Sequence, residues 1–356
     1  MSDPHATPAL LAALSAALAH ARSPWQHARL EPLPDKGLAH EHVRLVGTGL
    51  LARIPKQSQL GLAPEANLRF QRACFERAFA SARTPRLAAV LPVSGWLPRG
   101  ALLVEEVPGH SARLPGELPA IADALARLHR LPLPEPAARE PLLAPADPLQ
   151  ALWEEIAQQA RHLDAAALAP AVRRTISAQL EQLRGQLART PRPPVRLIAF
   201  DSHPGNFLVR ADGSAVLVDL EKCRYGAPGL DLAHATLYTS TTWDQGSHAV
   251  LSPGEVLAFY EAWEARAEAP LAAAARPWHA PLRRAMWLWS VSWCAKWRVL
   301  SDRAPDPLDR GEDWSAQRSS TALVAHVRER VDHYLLEDVV LHLTHEFAAL
   351  EDALRP

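Results

Sequence analysis

The sequence predicts an α+β fold in two parts, a small β-rich lobe followed by a larger helical one. Three observations carry this. Short β-type runs separated by turn residues fill much of the first 108 positions, beside an N-terminal helix and one internal helix. From residue 109 onward apolar residues recur at helical spacing, with one brief β-type interruption. Strands first and helices after is the order of an α+β architecture, not of alternating βαβ units.

Residues 8–22 read as an amphipathic helix closed by Ser23-Pro24. Three β-type runs follow at 28–33, 42–46 and 50–55, the last two joined by a hairpin signal at Gly47-Thr48-Gly49. A helix is expected over 67–82, with Leu68, Phe75 and Phe79 at helical spacing. Strands at 86–92 and 101–107 complete a mostly antiparallel small sheet, ended by Pro108-Gly109. The next helix, 119–129, puts Ile121, Leu125 and Leu128 on one face and stops at Leu131-Pro132. A proline-broken stretch over 132–148 precedes helices at 149–163 and 171–188. A second small β region spans 195–220 and turns at Asp212-Gly213. The rest, from Gly229, is helical with loops near 240–252 and 301–316. The lobes are assigned as 1–108 and 109–356, and no internal repeat is visible.

Composition narrows the function. With 48% apolar and 22% charged residues the chain has a soluble globular mixture, not a disordered, collagen-like or coiled-coil one. Thirty-eight Lys+Arg against 39 Asp+Glu leaves none of the basic excess of a nucleic-acid binder. No run of about 18 uncharged apolar residues suggests a membrane span, and the N-terminus lacks the features of a secretory signal. Cys74, Cys223 and Cys294 are odd in number and far apart, as expected of reduced thiols, not of a disulfide frame or zinc site. A cytoplasmic protein is expected, with no nucleic-acid, membrane or obligate protein partner. Only four of the 38 cations are lysines, namely Lys36, Lys56, Lys222 and Lys296, so a lysine here is a poor candidate for surface filler.

The chemistry concentrates after residue 197. Asp201 and Asn206 are spaced D-x-x-x-x-N in a Pro-Gly loop before a strand, and Asp219 follows at the far end of a hairpin. The hairpin is expected to return Asp219 to the loop, so that two carboxylates and a carboxamide converge. Phosphoryl transfer needs little more than positioning, metal charge and a group that orients the attacking hydroxyl. Asn206 and Asp219 offer the hard oxygen ligands that Mg²⁺ takes, leaving Asp201 to accept a hydrogen bond from the nucleophile.

These residues carry a resemblance. Ala199-Phe200-Asp201-Ser202-His203-Pro204-Gly205-Asn206-Phe207-Leu208-Val209 is similar to the H-G-D-x-H-P-G-N-x-L-V of the aminoglycoside phosphotransferase/choline kinase family. Val218-Asp219-Leu220-Glu221 resembles its I-D-[WF]-E, and Gly226-Ala227-Pro228-Gly229-Leu230-Asp231-Leu232-Ala233 its G-x-P-x-x-D-L-A. Ala199 stands where the family has histidine, and Leu220 where it has an aromatic residue.

The resemblance implies a protein-kinase-like two-lobed fold: an antiparallel-sheet nucleotide-binding lobe and a helical catalytic lobe. It further implies an ATP- and Mg²⁺-dependent phosphotransferase acting on a hydroxyl of a small amino-alcohol, aminoglycoside or sugar. Asp201 would be the catalytic base, Asn206 and Asp219 the Mg²⁺ ligands and Glu221 a contributor to a second metal. His203 and Asp231 would support the loop. Lys56, after the strand at 50–55, takes the place of the lysine that grips the α/β phosphates, with Glu76 as its helix partner. Leu102-Leu103-Val104-Glu105-Glu106-Val107-Pro108-Gly109 resembles the family hinge, so backbone groups of Glu105, Glu106 and Val107 would meet adenine.

Other motifs fail on context. Gly47-Thr48-Gly49-Leu50-Leu51-Ala52 matches a dinucleotide pattern but precedes a strand-like run, not a helix. Trp289, Trp293 and Trp297 recur at i, i+4 and i+8, giving a core face or an aromatic wall for a cationic or planar acceptor. Asp302, Asp306, Asp309, Glu312 and Asp313 would suit an aminoglycoside. The alternative function is a nucleotide-binding pseudokinase with a regulatory or scaffold role, suggested by Ala199 and by a single glycine in Pro34–His40, where a phosphate loop is glycine-rich.

Overall fold

The computed structural model describes residues 6–34, 37–301 and 319–354. The chain divides into two compact units. The first comprises residues 1–77, 85–107 and 300–329, and the second 78–84, 108–299 and 330–356, each as far as described.

In the first unit, α1 (Ala6–His20) precedes strands β1 (Leu30–Pro32), β2 (His40–Leu45) and β3 (Leu50–Pro55), then α2 (Pro64–Ala78), β4 (Leu87–Leu91) and β5 (Ala101–Glu105). The strands form one antiparallel sheet in the order β1-β2-β3-β5-β4. The β2–β3 turn needs left-handed backbone at Gly47 (φ 80) and Gly49 (φ 71), which glycine adopts without a Cβ penalty. Alternation along the strands makes the core. Val43, Leu45, Leu50, Ala52, Ile54, Ala101 and Leu103 are buried together with Leu14, Ala17 and Leu18 of α1. The helix expected over 67–82 begins three residues earlier, at Pro64, because proline lacks an N–H that the first turn leaves unpaired anyway. It yields at Phe79 to a 3₁₀ turn closed by Ala82 in the left-handed region.

The second unit holds β6 (His110–Ser111), α3 (Leu118–His129), α4 (Pro148–Ala160), α5 (Pro170–Leu187), β7 (Arg196–Ile198), β8 (Phe207–Val209), β9 (Ala215–Leu217) and β10 (Arg224–Gly226). Helices α6 (Gly229–Thr236), α7 (Tyr238–Thr241), α8 (Pro253–Glu264), α9 (Ala269–Ala275) and α10 (His279–Leu300) follow. Helix α11 (Thr321–Tyr334) and α12 (Glu337–Ala353) complete the described chain. The β region expected over 195–220 is not one sheet. The loop through Pro204 separates β7 from β8, so β7 pairs with β10 while β8 and β9 form a hairpin beside β6. The acidic positions between 302 and 313 lie outside the described residues, as does Lys36. Among the described residues no helix is long and apolar enough to cross a membrane.

Candidate active site

The site is built on a strained loop held from behind. After β7, Phe200 takes a left-handed backbone (φ 63), which costs a non-glycine residue about 1–2 kcal/mol. Asp231, buried on α6, accepts from Phe200 N (2.7 Å) and Ala199 N (2.8 Å). Hydrogen bonds to a charged group contribute about 1.5–3 kcal/mol each, enough to offset the strain. His129, at the end of α3, donates from Nε2 to Asp231 Oδ2 (2.9 Å), and its Nδ1 accepts from Trp263 Nε1 of α8 (3.1 Å), which settles the tautomer. Ser202 Oγ donates to Asp231 O, and His234 Nδ1 to Phe200 O (3.2 Å). Asp231 grips the backbone N–H of residue 199, not its side chain. That is why alanine there leaves the loop intact.

Past this anchor the loop turns its polar groups together. Asn206 Nδ2 donates to Asp201 O (2.8 Å), which fixes the amide and leaves its oxygen as an acceptor. The β8–β9 hairpin runs back as expected, with Val218 N donating to Asn206 O. Beyond it, Asp219 and Glu221 bring carboxylate oxygens within 4.8 Å of one another, and Glu221 N donates to Asp219 Oδ1 (3.3 Å). Gly205 is needed for close approach: a Cβ there would meet Asp244 Cβ at 2.7 Å and His203 Cε1 at 2.9 Å. An anchored amide oxygen and two acids form a hard donor set that fits Mg²⁺.

Asp201 Oδ2 lies 3.1 Å from Lys222 Nζ, and Oδ1 lies 3.8 Å from His234 Nδ1. Burial pushes the Asp201 carboxyl upward, but the Lys222 charge, with His203 and His234 near, outweighs it and holds the group well below the usual carboxylate range. Burial pushes the His234 imidazole down to about 4 against the pull of Asp201, so it is neutral at pH 7.

In the first unit, Lys56 is buried at the end of β3 and its Nζ donates to Gly37 O (3.2 Å) and Ser319 Oγ (3.4 Å). The expected pair with Glu76 does not form. Glu76 lies on the exposed face of α2 and accepts from Arg72 one turn earlier (2.8 Å). The buried face of α2 presents Gln71 instead. Gln71 Oε1 meets His40 Nε2 (3.1 Å), and His40 Nδ1 faces Arg53 Nη2 (3.5 Å). Arg53–His40–Gln71 thus ties strand to helix where Lys56–Glu76 was expected. Of the hinge residues, Glu105 N donates to Arg86 O and Glu106 N to Gly49 O, while Glu106 Oε1 accepts from Arg44 (2.7 Å). Val107 follows β5 and is buried.

Sequence reasoning assigned no role to Lys222, His234 or Asp244. Lysine scarcity was the available signal for Lys222, whereas the other two come to the loop from residues about 30–45 positions along the chain. Of the tryptophan stripe on α10, Trp297 is buried in the core and Trp293 meets Trp243 edge-on (5.9 Å). Trp289 packs on Phe200 (5.3 Å) and donates from Nε1 to Glu155 (2.8 Å).

Comparisons with known proteins bear on the family and the fold. A family model described as the phosphotransferase enzyme family matches residues 29–278. A search of the curated proteins finds no match. Among solved structures, a choline/ethanolamine kinase family protein from Mesorhizobium loti is similar, with 16% identity, TM-score 0.57 and coverage of 96% of this chain and 99% of that one. An ethanolamine kinase of Plasmodium vivax matches at 12% identity and TM-score 0.58, over 88% and 82% of the two chains. An aminoglycoside 2'-phosphotransferase-IIIa, solved as its GDP complex, matches at 15% identity and TM-score 0.57, over 94% and 99%. At such identities the neighbours establish a kinase-like fold, and the family match over most of the chain establishes descent. This chain belongs to the phosphotransferase enzyme family.

Proposed function

We propose that the protein is an ATP- and Mg²⁺-dependent kinase that transfers the γ-phosphoryl group to a hydroxyl of a small molecule. The observation that carries this is the anchored amide of Asn206. Its Nδ2 is held by Asp201 O, its backbone carbonyl accepts from Val218 N next to Asp219, and the carboxylates of Asp219 and Glu221 lie within 4.8 Å of each other. These three residues would hold Mg²⁺, which when bound neutralises charge on the phosphate oxygens. Residues 1–108 are the proposed nucleotide-binding lobe and 109–356 the catalytic lobe. Lys56 is the proposed phosphate-binding cation, and Val107 N–H a donor for the adenine ring. Glu105 and Glu106 already use their N–H groups within the sheet.

Asp201 is the proposed catalytic base. A carboxylate held so low in pKa is a weak base, so it orients the acceptor hydroxyl and takes its proton late. A loose transition state permits that timing. The new bond joins the acceptor oxygen to the γ-phosphorus, the bond from that phosphorus to the β–γ bridging oxygen breaks, and the proton passes to Asp201 and then to solvent. The similarity to choline/ethanolamine and aminoglycoside kinases supports a small-molecule acceptor, and three buried thiols outside any disulfide support a cytoplasmic setting. The test is release of ADP by the purified protein, with and without amino-alcohols, aminoglycosides and sugars. Mg²⁺-dependent turnover that Asp219→Ala abolishes is expected. Turnover that survives both EDTA and Asp219→Ala removes the reading.

A further inference from the structure

Lys222 sets its ammonium between the carboxylate of Asp201 and the ring of Trp289. Its Nζ lies 3.1 Å from Asp201 Oδ2 and 5.3 Å from the centre of the Trp289 ring. A cationic acceptor is held by unpaired carboxylates or by an open aromatic face. Lys222 matches the charge of Asp201 and covers Trp289. Glu155, the acid on the far side of Trp289, accepts from Arg224 Nη1 (2.9 Å) as well as from the indole. Asp231 is enclosed behind the loop, and Trp293 is engaged by Trp243.

We propose that Lys222 fills the cation position of the acceptor subsite, so that the reacting hydroxyl belongs to a neutral or anionic alcohol, such as a polyol, sugar or hydroxy acid, and not to an amino-alcohol or aminoglycoside. The inference rests on the phosphotransferase reading above and narrows it. A hydroxyl bonded to Asp201 lies within about 3–6 Å of Lys222 Nζ, given the ion-pair distance and an ordinary hydrogen bond. An ammonium two carbons further on is then about 4–8 Å away, where like charges in a partly buried site lower binding on the order of tenfold to hundredfold. A carboxylate at the same place is attracted instead.

The experiment measures ADP release by the full-length protein with Mg²⁺ and ATP. Ethanolamine, choline and kanamycin are compared with glycerol, glycerate and glucose, each scored as acceptor and as inhibitor of basal ATP hydrolysis. The best neutral or anionic compound is expected to exceed the best cationic one by at least about tenfold in kcat/KM or in inhibitory affinity. Lys222→Met should shift that ratio toward the cations by ten- to hundredfold, and Lys222→Arg should preserve it. A cationic compound preferred by the unmodified protein overturns the inference, and so does a ratio unmoved by Lys222→Met. If the variants do not fold, the ratio of the unmodified protein decides alone. Absence of any Mg²⁺-dependent ATP turnover would instead take down the phosphotransferase reading, and this inference with it.

Discussion

At the scale of single residues, the site sets one carboxylate against a lysine and two imidazoles. Asp201 is kept ionised by Lys222, so its proposed task is orientation more than strong basicity. Asp201→Asn keeps the shape and a polar group while removing the proton acceptor. It is expected to lower kcat by roughly 10²–10⁴ and to leave nucleotide affinity by calorimetry near that of the unmodified protein. Full turnover in this variant would refute the base assignment. His234 makes a separate prediction about stability. Its pKa in the fold is about 4, below the ordinary value of 6.5, so the folded state binds fewer protons between those limits. The stability it contributes is complete above pH 6.5 and is lost as pH falls toward 4, in total about 3 kcal/mol. Asn at position 234 can still donate to Phe200 O but does not titrate. Denaturant unfolding of His234→Asn from pH 7 to 4 should therefore show a shallower fall than the unmodified chain.

At the scale of elements, much was legible because local rules suffice. The strand at 50–55 and the Gly47–Gly49 turn appear as read, since alternation and left-handed glycine are local properties. The hairpin that returns Asp219 to the loop was legible for the same reason. The pairing of β7 with β10, and the engagement of Glu76 with Arg72, were not. Partner choice in a sheet depends on which strands the fold brings alongside. Which face of a helix is buried depends likewise on what the fold packs against it, and neighbouring faces differ by only 100° per residue. The contact between two loops at Gly205 yields a further prediction. Gly205→Ala should place a methyl against Asp244 and lower both thermal stability, by about 1–3 kcal/mol, and turnover. Adding Asp244→Gly, which removes both the Cβ and the Cγ that the methyl meets, should recover part of the loss. An undiminished Gly205→Ala variant would show that the close approach is unnecessary.

At the scale of the whole molecule, ligand linkage reads the proposed nucleotide function without knowledge of the acceptor. ATP at a hundred times its Kd stabilises a folded protein by about 2.7 kcal/mol. Mg²⁺ with ATP should therefore raise Tm, and EDTA should remove most of the rise. Lys56→Met should raise the KM for ATP roughly ten- to hundredfold, the worth of one charge-assisted hydrogen bond, while circular dichroism shows the fold retained. A Lys56→Met variant with unaltered KM would transfer the phosphate-binding role to another residue, and Arg53, buried on the same strand, is the one to test next.

The amino-acid sequence by itself determined the α+β order, the family and the loop from Asp201 to Asn206 with Asp219 behind it. Those follow from periodicity, turn residues and motif spacing, each encoded within a few dozen residues. Tertiary structure alone decided that Asp231 and His129 hold the loop from two distant helices, that Arg53, His40 and Gln71 join strand to helix, and that Lys222 stands beside Asp201 and over Trp289. The physical reason is that hydrogen bonds and charge pairs depend on distance in space, which the chain sets only after folding.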